Sequence, residues 1–269
     1  MAECPVARPG GMPVPRLVLV RHGESLWNAE NRFTGWRDVG LSPRGIAEAH
    51  AAAGLLAAAG IRPARAYGSY LRRALHTLFL LLEGTDRLWI PVAKSWRLNE
   101  RHYGALEGLD KDETRRRYGA EQVAVWRRSY DVPPPPMPRD DPRHPVHDPR
   151  YASVDPSLLP GGESLADTLR RVRPFWDEAI APALRAAPEE DVLVCAHGNS
   201  LRALIKHLEG LDDRAIVQVE IPTGIPIVYR LDGELVTVAK ETLAGPSDSR
   251  IRTAAPTADT ASKIGPPKK

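Results

Sequence analysis

Cysteine is nearly absent: Cys4 and Cys195 are the only two in 269 residues. Two thiols cannot build a disulfide framework, and Cys195 sits in an apolar run that reads as a buried strand, so the pair fits a reducing compartment. Long apolar runs are missing as well. None nears the roughly 20 residues that a bilayer-crossing helix needs. The first 16 residues, MAECPVARPGGMPVPR, lack the unbroken apolar core of a secretory signal and read as a flexible leader. The expected location is therefore the cytoplasm, with no membrane contact. Charge of one sign is also scarce. The 37 Lys and Arg stand against 34 Asp and Glu and are interspersed with them over most of the chain, a formal net charge of +3 that does not mark a nucleic-acid partner. With 42% hydrophobic residues, a chain of this length buries enough surface to fold without staples.

Ordered structure is expected from Leu17. Leu17 to Val20 is a uniformly apolar run, as in a parallel-sheet strand covered on both faces, and it stops at Arg21-His22-Gly23. Ser42-Pro43 opens a helix by a side-chain cap and a first-turn proline, running through Ala59 to Gly60. A short strand over 64–67 and a helix over 71–82 follow. An edge strand is expected over 89–92, because Pro91 lacks the N–H that a central strand requires. Helices are read over 111–118, 121–128, 164–184 and 200–209, and strands over 191–196, 227–230 and 235–240. Between Pro133 and Pro160 the chain is rich in Pro, Asp and Arg without periodicity, a long surface excursion suited to a lid or substrate wall. The tail from 246 to 269 reads as mobile, leaving 17–245 as the folded domain. The alternation argues for an α/β fold, a three-layer wound, mostly parallel sheet with helices on both faces. In such sheets ligands bind beyond the carboxyl ends of the strands.

Two strands here end in His-Gly, at His22 and His197. An isolated Arg-His-Gly is equally consistent with a surface loop. A second His-Gly leading straight into a helix changes that, since neutral imidazole attacks phosphorus and a helix amino end attracts anions. His22 would be the nucleophile, Arg21 would fork onto phosphate oxygens, and His197 would donate to the developing charge. Zinc is the rival reading, but the sequence contains no His-Glu-x-x-His or Cys-x-x-Cys run. Arg73, near a helix start, can reach the same phosphate. Glu100 can move a proton on or off a hydroxyl. Arg127 and Arg128, beside the turn-forming Pro133 to Pro136, can hold a carboxylate and a second phosphate.

Longer strings make the pattern specific: RHGESLWNAENRFTGWRDVGL from Arg21, KSWRLNERHYGALEG from Lys94, WRRSYDVPPPP from Trp126, AHGNSLRALIKHLEG from Ala196 and PTGIP from Pro222. In this order they resemble the cofactor-dependent phosphoglycerate mutases of the histidine phosphatase superfamily. The resemblance implies phosphorylation of His22, with Arg21, Asn28, Arg73 and His197 lining the phosphate pocket and Glu100 transferring protons. It implies that Thr34, Gly35, Arg101, Tyr103, Lys111, Arg127, Arg128, Gly198 and Asn199 bind the glycerate and its phosphates. The implied reaction interconverts 3-phosphoglycerate and 2-phosphoglycerate, primed by 2,3-bisphosphoglycerate, without a metal, in a homodimer or homotetramer. The alternative is a phosphatase, or a mutase paralogue with another phosphorylated substrate. Gly68, His76 and Gly40 stand where the family commonly has Thr, Arg and Asp, and the segment after Gly245 is unlike the family's tail.

Overall fold

The computed structural model describes residues 14–244. The expected tail (246–269), and the expected leader but for its last three residues, lie outside that range. The described chain builds a six-stranded sheet in the order β3-β2-β4-β1-β5-β6. Its strands are β1 (Arg16–Arg21), β2 (Pro63–Gly68), β3 (Val92–Lys94), β4 (Asp191–Ala196), β5 (Pro226–Leu231) and β6 (Thr237–Thr242). The first four in that spatial order are parallel, while β5 and β6 add antiparallel pairs, so the sheet is mixed.

Uniform hydrophobicity in β1 and β4 has the expected cause. Leu17, Leu19, Val192 and Val194 pack on one face beneath α6 (Leu165–Phe175) and α8 (Gly198–Glu209). Val18, Val20, Leu193 and Cys195 pack on the other beneath α2 (Pro43–Ala58) and α3 (Arg72–Gly84). Arg16 opens β1 with a two-pronged pair to buried Asp191 at the start of β4, fixing the register Arg16↔Asp191. The other end of that register places Arg21 beside Ala196, and the His22 N–H donates to the Ala196 carbonyl at 3.0 Å. The two His-Gly strand ends are therefore neighbours.

Several elements differ from expectation for visible reasons. The edge strand covers Val92–Lys94, not 89–92. Pro91 contributes only its carbonyl, which accepts from Ala66 N at 3.0 Å, and the Cα pairing begins at Val92. The single helix expected over 164–184 is α6, a π-wound segment Trp176–Ile180 and α7 (Ala181–Ala186). Pro174 and Pro182 flank that segment, and each removes a helical donor. The last strand begins at Thr237 because Asp232 folds the chain into a tight turn, accepting from Val236 N, with Leu235 at φ +64°. Two short helices had no sequence signal long enough to see: α1 (Leu26–Ala29), closed by a Ser25/Asn28 capping box, and α9 (Asp213–Gln218). The helices α4 (Lys111–Tyr118) and α5 (Ala120–Arg128) complete the set.

The excursion over 133–160 is anchored. Met137, His144 and Tyr151 are buried, Met137 N donates to Gly161 O at 2.6 Å, and the Asn99 amide donates to Tyr151 OH at 2.9 Å. It packs as a wall on Trp36, Tyr70 and Trp96. None of the unusual residues lines the cleft, although Gly68 directly precedes Ser69. Gly40 has open space around it and His76 is exposed, while a Cβ at Gly68 would press Leu78 and Leu75 at 3.1 and 3.2 Å.

Candidate active site

His22 follows β1 into the sheet's carboxyl edge and is buried. Its Nδ1 lies 2.6 Å from the Gly23 carbonyl, which can only accept, so Nδ1 carries the proton. Nε2 is then the unprotonated nitrogen, and it accepts from Arg73 Nε at 3.3 Å. Burial, with Arg73 and Arg21 alongside, holds the imidazole pKa well below its usual value, against the pull of the Gly23 carbonyl. A neutral imidazole with its lone pair toward a cationic pocket is a competent nucleophile. Gly23 lets the strand end come close to α2, since a Cβ there would fall 2.1 Å from the Gly45 carbonyl.

His197 follows β4 and caps α8. Its ring centroid is 4.9 Å from that of His22, at 62°. Nε2 meets Ser69 Oγ at 2.7 Å, and Nδ1 is buried without a hydrogen-bond partner among the described residues. Burial and the charges of Arg73, His22, Arg171 and Arg21 depress its pKa strongly. Arg73, on the first turn of α3 and 1% exposed, donates Nη1 to Arg37 O and Nη2 to Gly35 O, at 2.9 and 2.8 Å. Burial lowers it to about 10, still a cation at neutral pH.

The Glu100 carboxylate takes three hydrogen bonds on Oε1, from Arg101 N, Asn199 N and Asn199 Nδ2, at 2.8, 3.1 and 2.9 Å. Burial raises its pKa, but those bonds with Arg21 and Arg73 outweigh it and leave a net lowering. Oε2 lies toward Gly198, where a Cβ would stand 3.7 Å away, on the Arg21 side of the site.

These groups surround a cleft of about 120 Å³ lined by Arg21, His22, Asn28, Thr34, Gly35, Arg73, Glu100, Tyr103, Lys111 and Arg127, together with Arg32 and Phe33, which sequence reasoning did not single out. Buried Arg21 Nε and Thr34 Oγ1 have no hydrogen-bond partner among the described residues, so the lining keeps donors available for an anion. Burial lowers Lys111, and the charge of Arg127 lowers it further; burial also lowers Arg127, opposed by Tyr103 and reinforced by Arg115, Arg128 and Arg101. Five expected residues stand off the cleft lining. His197 is fully buried beside it, reaching the site through its ring contact with His22. Arg101 lies behind, its guanidinium over the Tyr103 ring at 4.6 Å and bonded to the Trp126 and Arg127 carbonyls at 3.0 Å each. Gly198 and Asn199 sit beneath Glu100 at the head of α8. Arg128 faces an adjoining pocket with Arg21, Arg202 and Lys240, 3.5 Å from Glu220. Ser69, which orients His197, was also missed; its link spans 128 residues and has no local signal.

Among the described residues no three His, Cys, Asp or Glu side chains are grouped to hold a metal, and no helix is long and apolar enough to cross a membrane.

Comparison with known proteins agrees with this geometry. The model of the histidine phosphatase superfamily (branch 1) matches residues 17–143 and 138–240. A 2,3-bisphosphoglycerate-dependent phosphoglycerate mutase of Nitratidesulfovibrio vulgaris (strain DP4) is 59% identical over 88% of this chain and 94% of its own. The protein of the same name from Maricaulis maris (strain MCS10) is 55% identical over 84% and 92%. Among solved structures, a mycobacterial glucosyl-3-phosphoglycerate phosphatase superposes with a TM-score of 0.61 at 28% identity, over 80% of this chain and 92% of its own. With its two strand-end histidines, its clamped arginine and relatives of this similarity, the chain belongs to the histidine phosphatase superfamily.

Proposed function

We propose that this enzyme interconverts 3-phosphoglycerate and 2-phosphoglycerate through a phosphohistidine at Nε2 of His22. The carrying observation is that unprotonated Nε2, fixed by Gly23 O and Arg73 at the floor of a cationic cleft, in a chain 59% identical to a mutase of that specificity. Bound 2,3-bisphosphoglycerate supplies the phosphoryl group that loads His22. Arg21, Arg73, Lys111 and Arg127, with the unpartnered Arg21 Nε and Thr34 Oγ1, suit such a polyanion. These cations meet the charge that a metal would otherwise neutralise, so the proposed reaction uses none.

In the forward direction the free hydroxyl of bound 3-phosphoglycerate attacks the phosphorus on His22. Glu100 Oε2 takes the hydroxyl proton, the P–N bond breaks, and its electron pair returns to Nε2. His197 presents Nδ1 to the transferring oxygens, since a proton given by Ser69 to Nε2 leaves Nδ1 as the donor. The reverse transfer loads His22 from the other phosphate, with Glu100 returning the proton to the leaving oxygen. Asn28, Thr34, Gly35 and Tyr103 border the glycerate, with Arg101, Gly198 and Asn199 holding those groups from behind and Arg128 at the outer rim. The catalytic domain spans 17–245, in the cytoplasm, and assembles as a homodimer or homotetramer. The open edge of β3 supports that assembly, with Leu88 and Trp89 exposed just before it in the chain, Trp89 by 73%.

Phosphorus NMR of the full-length protein with 3-phosphoglycerate, under chelator, tests the reading. Primer-dependent appearance of 2-phosphoglycerate with little inorganic phosphate supports it. Steady release of inorganic phosphate would instead make water the acceptor and the enzyme a phosphatase.

A further inference from the structure

Glu107 takes no part in the steps above, yet its side chain is 2% exposed directly behind the cleft. Its Oε1 accepts from the backbone N–H of Trp36 at 2.8 Å and of Tyr103 at 3.2 Å. Trp36 follows Thr34 and Gly35, and Tyr103 follows Glu100, Arg101 and His102. One carboxylate oxygen thus joins the two stretches of backbone that carry the proposed glycerate contacts. Gly35 lies at φ +52°, and a Cβ there would fall 1.8 Å from Oε1, so the loop comes this near only because position 35 has no side chain. The same loop reaches the chemistry twice. The Gly35 carbonyl accepts from Arg73 Nη2, whose Nε holds His22, and Trp36 Nε1 donates to the Glu100 carbonyl at 2.5 Å.

We infer that Glu107 is a positioning residue whose carboxylate clamps the Gly35–Trp36 and Arg101–Tyr103 backbones at the separation at which phosphoglycerate is gripped. The inference rests on the mutase reading and adds to it a residue that sets substrate affinity from outside the cleft. The groups facing Glu107 are Arg37 and Arg73 from the two sides of the loop, Arg143 from the excursion, and His102, whose Nδ1 is 3.6 Å from Oε1 and accepts from Gly104 N at 3.0 Å. Burial raises the Glu107 carboxyl to about 7, against the two backbone N–H groups and the charges of Arg37 and Arg73. Burial, with His144, Arg171, Arg143 and Arg37, lowers His102 to about 3, so His102 brings no charge to the pair at neutral pH. The clamp therefore loses its charge as pH falls through neutrality, and a neutral carboxyl is the weaker acceptor.

The test uses full-length wild type, Glu107→Gln, Glu107→Ala, Gly35→Ala and the double Gly35→Ala/Glu107→Ala variant. Calorimetric binding of 3-phosphoglycerate and primed turnover are followed from about pH 6 to about pH 8.5. Glu107→Ala is expected to raise both Kd and KM by roughly tenfold, with a smaller change in kcat. Glu107→Gln keeps an acceptor oxygen and should recover most of that affinity. It should also lose the part of the wild-type affinity decline below about pH 7 that does not come from the substrate's own phosphate. Gly35→Ala should cost much less in the Glu107→Ala background, where the colliding oxygen is gone. Unchanged Kd and KM in Glu107→Ala would overturn the clamp, as would effects of Gly35→Ala and Glu107→Ala that simply multiply. Should Glu107→Ala not fold, Glu107→Gln decides, because an affinity profile superimposable on that of the wild type refutes the inference. Wild type that binds 3-phosphoglycerate without turnover would sink the mutase reading alone, and calorimetry would still judge the clamp.

Discussion

Arg73 holds His22 with the one nitrogen left over from its own anchoring. Its Nη1 and Nη2 are committed to the Arg37 and Gly35 carbonyls, and Nε donates to His22 Nε2 at 3.3 Å. The guanidinium is thus pinned by the loop it braces, and its charge is the second cause, after burial, of the depressed His22 pKa. Arg73→Lys keeps a cation and three donors, but all on one nitrogen, which cannot span the three acceptors that Nε, Nη1 and Nη2 reach separately. We expect primed turnover to fall by roughly a hundredfold. Proton NMR of the ring should show the His22 pKa rising in Arg73→Ala. An undiminished rate in Arg73→Lys would show that only the charge matters.

Glu100 separates its two oxygens by task. Oε1 is anchored by Arg101 and Asn199, and Oε2 lies on the Arg21 side of the cleft. Glu100→Gln preserves shape and an acceptor at Oε1 but cannot take a proton. It should lower kcat by roughly a hundredfold or more with KM little changed. A large rise in KM with kcat preserved would assign Glu100 to binding instead.

Ser69 is the partner that fixes His197. Its Oγ accepts from Leu71 N at 3.1 Å and meets His197 Nε2 at 2.7 Å, so the hydroxyl proton is free to point at the imidazole. With that proton given to Nε2, the proposed role of His197 uses Nδ1, which is buried without a hydrogen-bond partner among the described residues. Ser69→Ala removes the orientation and leaves a buried ring nitrogen unpaired, at a cost of about 1–3 kcal/mol in stability. We expect kcat to fall roughly tenfold with KM nearly unchanged, and urea unfolding to report the stability loss. Equal kcat would mean that packing alone holds the ring.

How much of this was legible in the sequence depended on the range of the interactions. Asp191–Ala196 and Lys111–Tyr118 form as read, because an unbroken apolar run and an Asp110-capped helix are local signals. The pairing of the two His-Gly ends was legible too, since both close buried strands and β1 and β4 lie side by side. What was not legible depends on distant partners. Ser69 gains its meaning from His197, and Glu107 from Trp36, 71 residues away. In the sequence Glu107 looks like any acid in a Gly-flanked loop. Arg128 reads as an equal of Arg127, but one step along the end of α5 turns it toward the adjoining pocket.

Acid stability should separate the buried carboxyl from the buried imidazoles, because their linkage to folding has opposite signs. Folded His22 and His197 have pKa values depressed well below 6.5, so the stability they contribute is complete above 6.5 and is lost as pH falls from there toward their folded values. Glu107 is raised from 4.5 to about 7. Its contribution is complete below 4.5 and is lost as pH rises to about 7, a difference of about 3 kcal/mol. Between these limits the two effects oppose each other and flatten the pH profile of the wild type. Glu107→Gln removes the carboxyl's share. Relative to wild type it should gain stability as pH rises from about 5 to about 8, and it should lose stability more steeply on acidification. Urea midpoints of both proteins across that range measure the difference directly. Parallel profiles would show that the Glu107 carboxyl titrates alike in the folded and unfolded chains, its burial fully compensated by the Trp36 and Tyr103 N–H groups and by the charges of Arg37 and Arg73.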